Sequence, residues 1–478
     1  MKTDKDWFKA SKEGLAALVA GKPKSFILRE LVQNAWDEDI TTCNVDIKYK
    51  GGMVELTVED DSPEGFRDID HAYTLFADTY KRSDFKKRGR FNTGEKYALS
   101  LCDKAIIKTT KGTIIFDDNG RNETSSATKG GSVVTMWFKA TKDDYDEIMQ
   151  SVDALLIPDG IKFVVNGKKY NYKKPLRTFH ALLLSEIKNP NTGMVGKTRR
   201  KGEVHVVEKL DDDTSAYVYE MGIPVQEIDG SYHLDVQQKI PLDQSRESVL
   251  PCFLKELYAV TLENIHDDIS EDTSGETWIS EGLKSKKVSK ETLQDVITKR
   301  YGEKVVVADN FSPNSIDDAK ASGYTVLRGT EMPKEAWNNI KKHDLIKSSS
   351  KEFPQYDPKI GNGCVPNNKE NLVAEYAKRL AKRFLGLDIK VDFYSDRNPK
   401  AKAARFGGNT LYFNKGKLGK RFFEEAISEE TTDLIVHEIG HLDGNHTDMS
   451  YHNLLTKLAG KLTMLALKEP EFFDVTTW

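Results

Sequence analysis

The chain has 478 residues, with 71 Lys plus Arg against 75 Asp plus Glu, a net charge of −4 and 38% hydrophobic residues. At roughly 150 residues per domain, that length suggests about three domains with separate cores, and the composition excludes collagen-like, mucin-like and wholly disordered chains. So small a net charge exerts no global pull toward nucleic acid or an anionic membrane, which disfavours nucleic acid as a partner and requires any phosphate site to be local.

The apolar runs HALLLSEI, LYAVTL and LTMLAL fall well short of the ~20 residues that cross a bilayer, so no membrane span is expected. The start, MKTDKDWFKASKEG, lacks an apolar stretch with a small-residue cleavage site, and a cytoplasmic location is expected. Cys43, Cys102, Cys252 and Cys364 are too scattered for a CxxC knuckle or a disulfide framework, and reduced, mostly buried thiols follow.

In chain order, KSFILRELVQNAWDED has the periodicity of an amphipathic helix. NVDIKYK and MVELTVED alternate as strands joined by a hairpin at Gly51 and Gly52. The basic stretch KRSDFKKRGRFNTGEK leads into a helix, EKYALSLCD, and the strands AIIKTT, TIIFDD and SVVTMWFKA complete an α/β sandwich-like unit. The strands KFVVNGKKY, GEVHVVEKL, SAYVYEMGIPVQEI and YHLDVQQKIPL, with a helix after Pro251, predict a second domain. The Ser-, Thr-, Glu- and Lys-rich stretch 268–288 is the best linker candidate. Helical and strand segments then alternate from ETLQDVITKRYG to PKEAWNNIKKH, predicting a small α/β unit, and the helix NLVAEYAKRLAKRFLG opens the last region. The expected divisions are 1–165, 166–270, 271–350 and 351–478.

Two constellations carry chemistry. Glu30, Asn34 and Asp37 are spaced i, i+4 and i+7, which puts them on one helical face. A solvated face would show the same spacing, but VEDDSPEGF then places two Asp before a turn containing Gly65. RGRFNTGEK sets Gly89 and Gly94 around a loop at a helix start, where free N–H groups favour phosphate. A carboxylate helix, an Asp turn and a Gly-rich anion site are what a nucleotide and a hydrolytic water require.

With these motifs in this order, residues 20 to 250 resemble the ATPase superfamily of DNA gyrase B, heat-shock chaperones, histidine kinases and mismatch-repair proteins, whose ATP site has the Bergerat fold. The resemblance implies ATP and Mg²⁺ as cofactors and a homodimer that closes on nucleotide. Glu30 would be the general base on the attacking water, Asn34 the Mg²⁺ ligand, and Asp37 a further residue of the nucleotide site. Asp60 would bond the adenine amino group, Gly65 would form the adjoining turn, Gly89 and Gly94 would bracket the lid, and Ser132 would support the adenine pocket. The family's DxGxG reads DDSPEG here, which leaves the choice between Asp60 and Asp61 open. KIPLDQSRESVLP resembles the middle-domain loop of the chaperone ATPases, and Arg246 would then reach the γ-phosphate. Only about two dozen residues precede the Glu30 helix, so a phospho-acceptor helix of the histidine-kinase kind is not expected.

The second constellation is TTDLIVHEIGHLDGNH. Its HExxH puts His437 and His441 one helical turn apart, suited to two imidazoles on one Zn²⁺, with Glu438 as general base on the attacking water. Gly444 ends the motif helix. His446 is the expected third ligand, with His452 and Asp448 as alternatives; the metzincin spacing would fall on Thr447 instead. The spacing more closely resembles compact zincin-like peptidases, and the strand GNTLYFN is expected to pair with an extended substrate.

The whole chain is therefore expected to be a multidomain α+β protein. Its parts are a Bergerat-type α/β sandwich ATPase, a transducer-like α+β domain, a small α/β unit and a zincin-like C-terminal domain. Nucleotide-driven closure would gate or position a zinc-dependent peptidase acting on a protein or peptide substrate, a combination resembling that of prokaryotic or phage ATP-binding proteins with an HExxH domain. The alternative is an ATP-dependent, chaperone-like clamp with a structural metal site.

Overall fold

The computed structural model describes residues 10–189, 192–209, 215–243, 248–354, 364–397, 401–444, 446 and 448–478. The chain divides into two compact units, Met1–Ser289 and Lys290–Trp478. Among the described residues no helix is long and apolar enough to cross a membrane.

The first unit opens with α1 (Lys12–Val19) and α2 (Ser25–Trp36), followed by the hairpin β1 (Thr42–Lys50) and β2 (Met53–Asp60). Gly51 and Gly52 join these strands with φ of 60° and 79°, the left-handed pair that a tight two-residue hairpin demands. After a long irregular segment come α3 (Gly94–Ser100), β3 (Lys104–Thr109), β4 (Gly112–Asp117), β5 (Gly120–Thr124), β6 (Ser132–Lys139), α4 (Lys142–Asp153), β7 (Lys162–Val165) and β8 (Lys168–Tyr170). The eight strands form one sheet in the order β5-β4-β3-β6-β2-β1-β7-β8. KFVVNGKKY therefore belongs to the first sheet, where β7 lies parallel to β1, and does not open the second domain as expected. Alternate residues of β1, β2 and β6 are buried, together with Ile27, Leu28, Leu31 and Val32 of α2, which gives the sheet a dry face under its helices.

A second sheet, in the order β12-β11-β13-β10-β9, is built from β9 (Arg177–Lys188), β10 (Val195–Glu208), β11 (Ala216–Glu220), β12 (Ile223–Ile228) and β13 (Tyr232–Val236). SAYVYEMGIPVQEI is a hairpin, not one strand, because Met221 and Gly222 turn the chain with φ of 50° and 87°. The helices α5 (Pro251–Ile265) and α6 (Thr277–Gly282) follow. The expected linker 268–288 is a packed segment: Trp278 is buried edge-on to Tyr232, and its indole N–H donates to Glu276 at 2.7 Å.

The second unit begins with α7 (Lys290–Tyr301), β14 (Val305–Val307), α8 (Pro313–Ala321), β15 (Thr325–Leu327), α9 (Lys334–Lys342) and α10 (Ser349–Glu352), with β14 and β15 parallel. It continues with α11 (Asn368–Leu385), β16 (Lys390–Tyr394), β17 (Ala404–Gly407), β18 (Thr410–Asn414), α12 (Lys415–Phe422), α13 (Glu429–Gly440) and α14 (Met449–Lys468). The sheet order β16-β18-β17 corrects one expectation: GNTLYFN forms the central strand, paired on both sides, so its edge is not free for a substrate. The edge positions fall to β16 and β17.

Candidate functional site

A cavity of about 990 Å³ opens in the first unit. Glu30 and Asn34 line it from α2, Asp60 from the end of β2, Gly89 and Gly94 from the segment before and at the start of α3, and Ser132 from the start of β6. At Gly94 any side chain would overlap the Glu30 carboxylate, so glycine is what lets the chain cross in front of that acid.

Asp37 departs from the shared face. The helix ends at Trp36, and the fully buried Asp37 caps it. Its Oδ1 accepts the Arg88 backbone N–H and a guanidinium N–H, each at 2.9 Å, and its Oδ2 accepts the Gly89 N–H at 2.9 Å. Burial raises the pKa of this carboxyl, but Lys81, Arg88 and the two backbone donors outweigh it and hold the group below the usual carboxylate range. Asp37 thus anchors the segment that bears Gly89.

The two aspartates left open by the sequence have different surroundings. Asp61 accepts the Thr41 and Thr42 N–H groups at 2.8 and 2.9 Å and the Thr41 hydroxyl at 2.5 Å, so its carboxylate closes a turn. Asp60 lines the cavity and accepts the Ser62 N–H at 2.9 Å, and burial pushes its carboxyl up to about 6. Gly65, with φ of 58°, forms the adjoining turn, its N–H donating to the Ser62 carbonyl at 3.1 Å. Gly131, next to Ser132, has no signal in the sequence patterns above; at φ 72° it passes so close to the Asp60 carbonyl that any side chain would collide with it.

The irregular segment over the cavity is tied to the second sheet, a feature with no local sequence signal. Arg90 forms a bidentate pair with Glu220, at 2.8 and 2.5 Å, and also donates to the Ile240 carbonyl at 2.6 Å. Arg88 donates to the Glu220 and Met221 carbonyls. The fully buried Lys239 gives its ammonium to the carbonyls of Lys81 and Arg82, and its N–H donates to the Phe85 carbonyl at 2.8 Å. Substituting Lys239→Met is expected to lower the melting temperature, since it removes the donor to the Lys81 and Arg82 carbonyls. Backbone amide exchange across 80–90 is expected to accelerate, because the three ties that Lys239 makes to the segment fall to one; hydrogen-exchange mass spectrometry measures this. Arg246 lies outside the described residues.

In the second unit, His437 and His441 project from the end of α13 and the turn beyond it, and His446 follows on the turn before α14. One nitrogen from each of the three lies within 4.8 Å of the others. His437 Nε2 and His446 Nε2 are 3.2 Å apart, and a tetrahedral zinc with Zn–N of about 2.0–2.1 Å sets its ligand nitrogens about 3.3 Å apart. The spacing of His437 and His446 therefore fits such an ion. His441 Nδ1 faces the Gly444 carbonyl at 3.3 Å, leaving its other nitrogen for a metal. The two alternative third ligands are engaged elsewhere. His452 Nε2 bonds the His446 carbonyl at 2.8 Å, and Asp448 pairs with Lys320 at 3.0 Å and Arg328 at 3.7 Å. Glu438 is buried beside the cluster, its carboxyl pushed up to about 7 by burial against the pull of Lys402 and the Phe406 N–H of β17.

Residues 25–142 match the family model described as histidine kinase-, DNA gyrase B-, and HSP90-like ATPase. The match supports an ATPase domain. It spans about a quarter of the chain and contains Glu30, Asn34, Asp60, Gly65, Gly89, Gly94 and Ser132. ATP, usually with Mg²⁺, fits such a domain, and the eight-stranded mixed sheet fits its fold. No curated protein matches the chain.

Proposed function

We propose that this protein binds and hydrolyses ATP in the first unit, and that nucleotide-driven closure of a homodimer gates or positions a zinc-dependent peptidase in the second. The observation that carries the nucleotide half is the opening of Glu30, Asn34 and Asp60 onto one cavity inside the ATPase-matched residues. Asp60 accepts the adenine amino group, with Ser132 behind it. The Asn34 amide oxygen, a hard donor, suits Mg²⁺. Glu30 orients the attacking water and takes its proton. The segment from Gly89 to Gly94 covers the phosphates, and Arg246 neutralises charge on the γ-phosphate.

For the second half, His437, His441 and His446 hold the metal. Zinc, when bound, supplies Lewis acidity and lowers the pKa of water. Glu438 takes a proton from the attacking water at its carboxylate and returns it to the leaving nitrogen. The edge strand β17, whose Phe406 N–H bonds Glu438, offers the backbone for an extended peptide.

A pH titration of ATP binding tests the adenine assignment. The ionised Asp60 is the form that accepts the amino group, and its carboxyl titrates at about 6. Affinity is therefore expected to be level above pH 7 and to fall by about tenfold in all as pH drops through 6. Asp60→Asn, measured in parallel to subtract the nucleotide's own titration, is expected to bind about tenfold more weakly at pH 8, the worth of a charge-assisted hydrogen bond. Parallel pH profiles for the two proteins would remove Asp60 from the base-binding role.

A further inference from the structure

We propose that Tyr451 is the positioning residue that orients His437 for the metal, an inference that rests on the metal-site reading above. Tyr451 lies in the first turn of α14 and is only 2% exposed. Its ring stands among all three imidazoles, with centroids 5.0 Å from His441, 5.2 Å from His446 and 6.0 Å from His437. The phenol oxygen lies 3.0 Å from His437 Nδ1, on the side of the ring away from the Nε2 that faces His446.

That contact gives the hydroxyl a task beyond packing. An imidazole that donates its Nδ1–H keeps the Nε2 lone pair free for a metal, and the partner of the donated hydrogen fixes the rotation of the ring. His441 has such a partner in the Gly444 carbonyl. For His437, the Tyr451 hydroxyl occupies the equivalent place. The close approach also explains Gly440, the fourth residue of HEIGH. A side chain there would come within 2.7 Å of Leu455 and 3.1 Å of the Tyr451 ring, so glycine is what lets α13 and α14 draw near enough for the phenol to reach His437.

Tyr451→Phe keeps the ring and removes the oxygen. Zinc affinity, measured by competition with a chromophoric chelator, is expected to fall about 10–100-fold, the usual cost of losing a partner of a ligating histidine. The visible spectrum of the Co²⁺-loaded protein is expected to change in shape, while the melting temperature of the metal-free protein stays within error of wild type. Wild-type protein that binds neither ion would overturn the metal-site reading itself. Wild type and Tyr451→Phe with equal zinc affinity and superimposable Co²⁺ spectra would overturn the role of Tyr451 and leave that reading standing. Should the variant not fold, long-range ¹H–¹⁵N spectra of zinc-loaded, histidine-labelled wild type decide. A proton on His437 Nδ1 supports the assignment, and a bare Nδ1 contradicts it.

Discussion

Glu30→Gln is expected to reduce ATP turnover by about 10²–10⁴-fold, the usual contribution of a positioned general base, while nucleotide affinity changes only a few-fold. The substitution preserves size and a hydrogen-bonding oxygen, so the water can still be held, but the group can no longer take its proton. The expected pattern is a loss in kcat with little change in KM, because the carboxylate acts on the reaction and not on the bound nucleotide. Gly94→Ala should approach the same phenotype by steric means, since a methyl group there would displace the Glu30 carboxylate. Steady-state hydrolysis and binding of a non-hydrolysable analogue separate the two quantities. Unchanged turnover in Glu30→Gln would assign the proton transfer to another group.

The second large effect is expected at Glu438. Glu438→Gln should retain the metal, since the three imidazoles that converge are untouched, and should lose peptide cleavage by about 10²–10⁴-fold. His441→Ala should lose the metal itself, because two of three protein ligands do not hold zinc against a chelator. Metal content by mass spectrometry and cleavage of casein, compared across the two variants, distinguish a site that performs hydrolysis from one that only braces the fold. Retained zinc with no cleavage in any of the proteins, wild type included, would favour the clamp reading.

The parts legible in the sequence are those set by short-range periodicity. The 3.6-residue pattern of FILRELVQNAW gave α2, and the same pattern put Glu30 and Asn34 toward the cavity. Asp37 lies one residue past the end of α2, where the chain buries its carboxylate against Arg88, a contact that helical spacing does not specify. HALLLSEI, too short and too apolar to separate strand from helix, is the core of β9, with alternate residues inside. In the polar stretch 268–288, Trp278 is the residue that argues against a linker, since a large indole there needs a packing partner. Strand order is tertiary, so nothing in GNTLYFN told a central strand from an edge. The pairing of His437 with His441 followed from helical spacing, whereas the Tyr451 hydroxyl and the hold of Lys239 on the segment over the cavity arise from contacts between distant elements.

The measurement that tests the central claim most directly is proteolysis by the zinc-loaded protein with and without ATP and Mg²⁺, in wild type and in Glu30→Gln. The account predicts that nucleotide changes the cleavage rate of wild type and that Glu30→Gln, which binds ATP without turning it over, holds the protein at one extreme of that rate. Cleavage that depends on Glu438 but is identical with and without nucleotide in both proteins would contradict the coupling of the two sites.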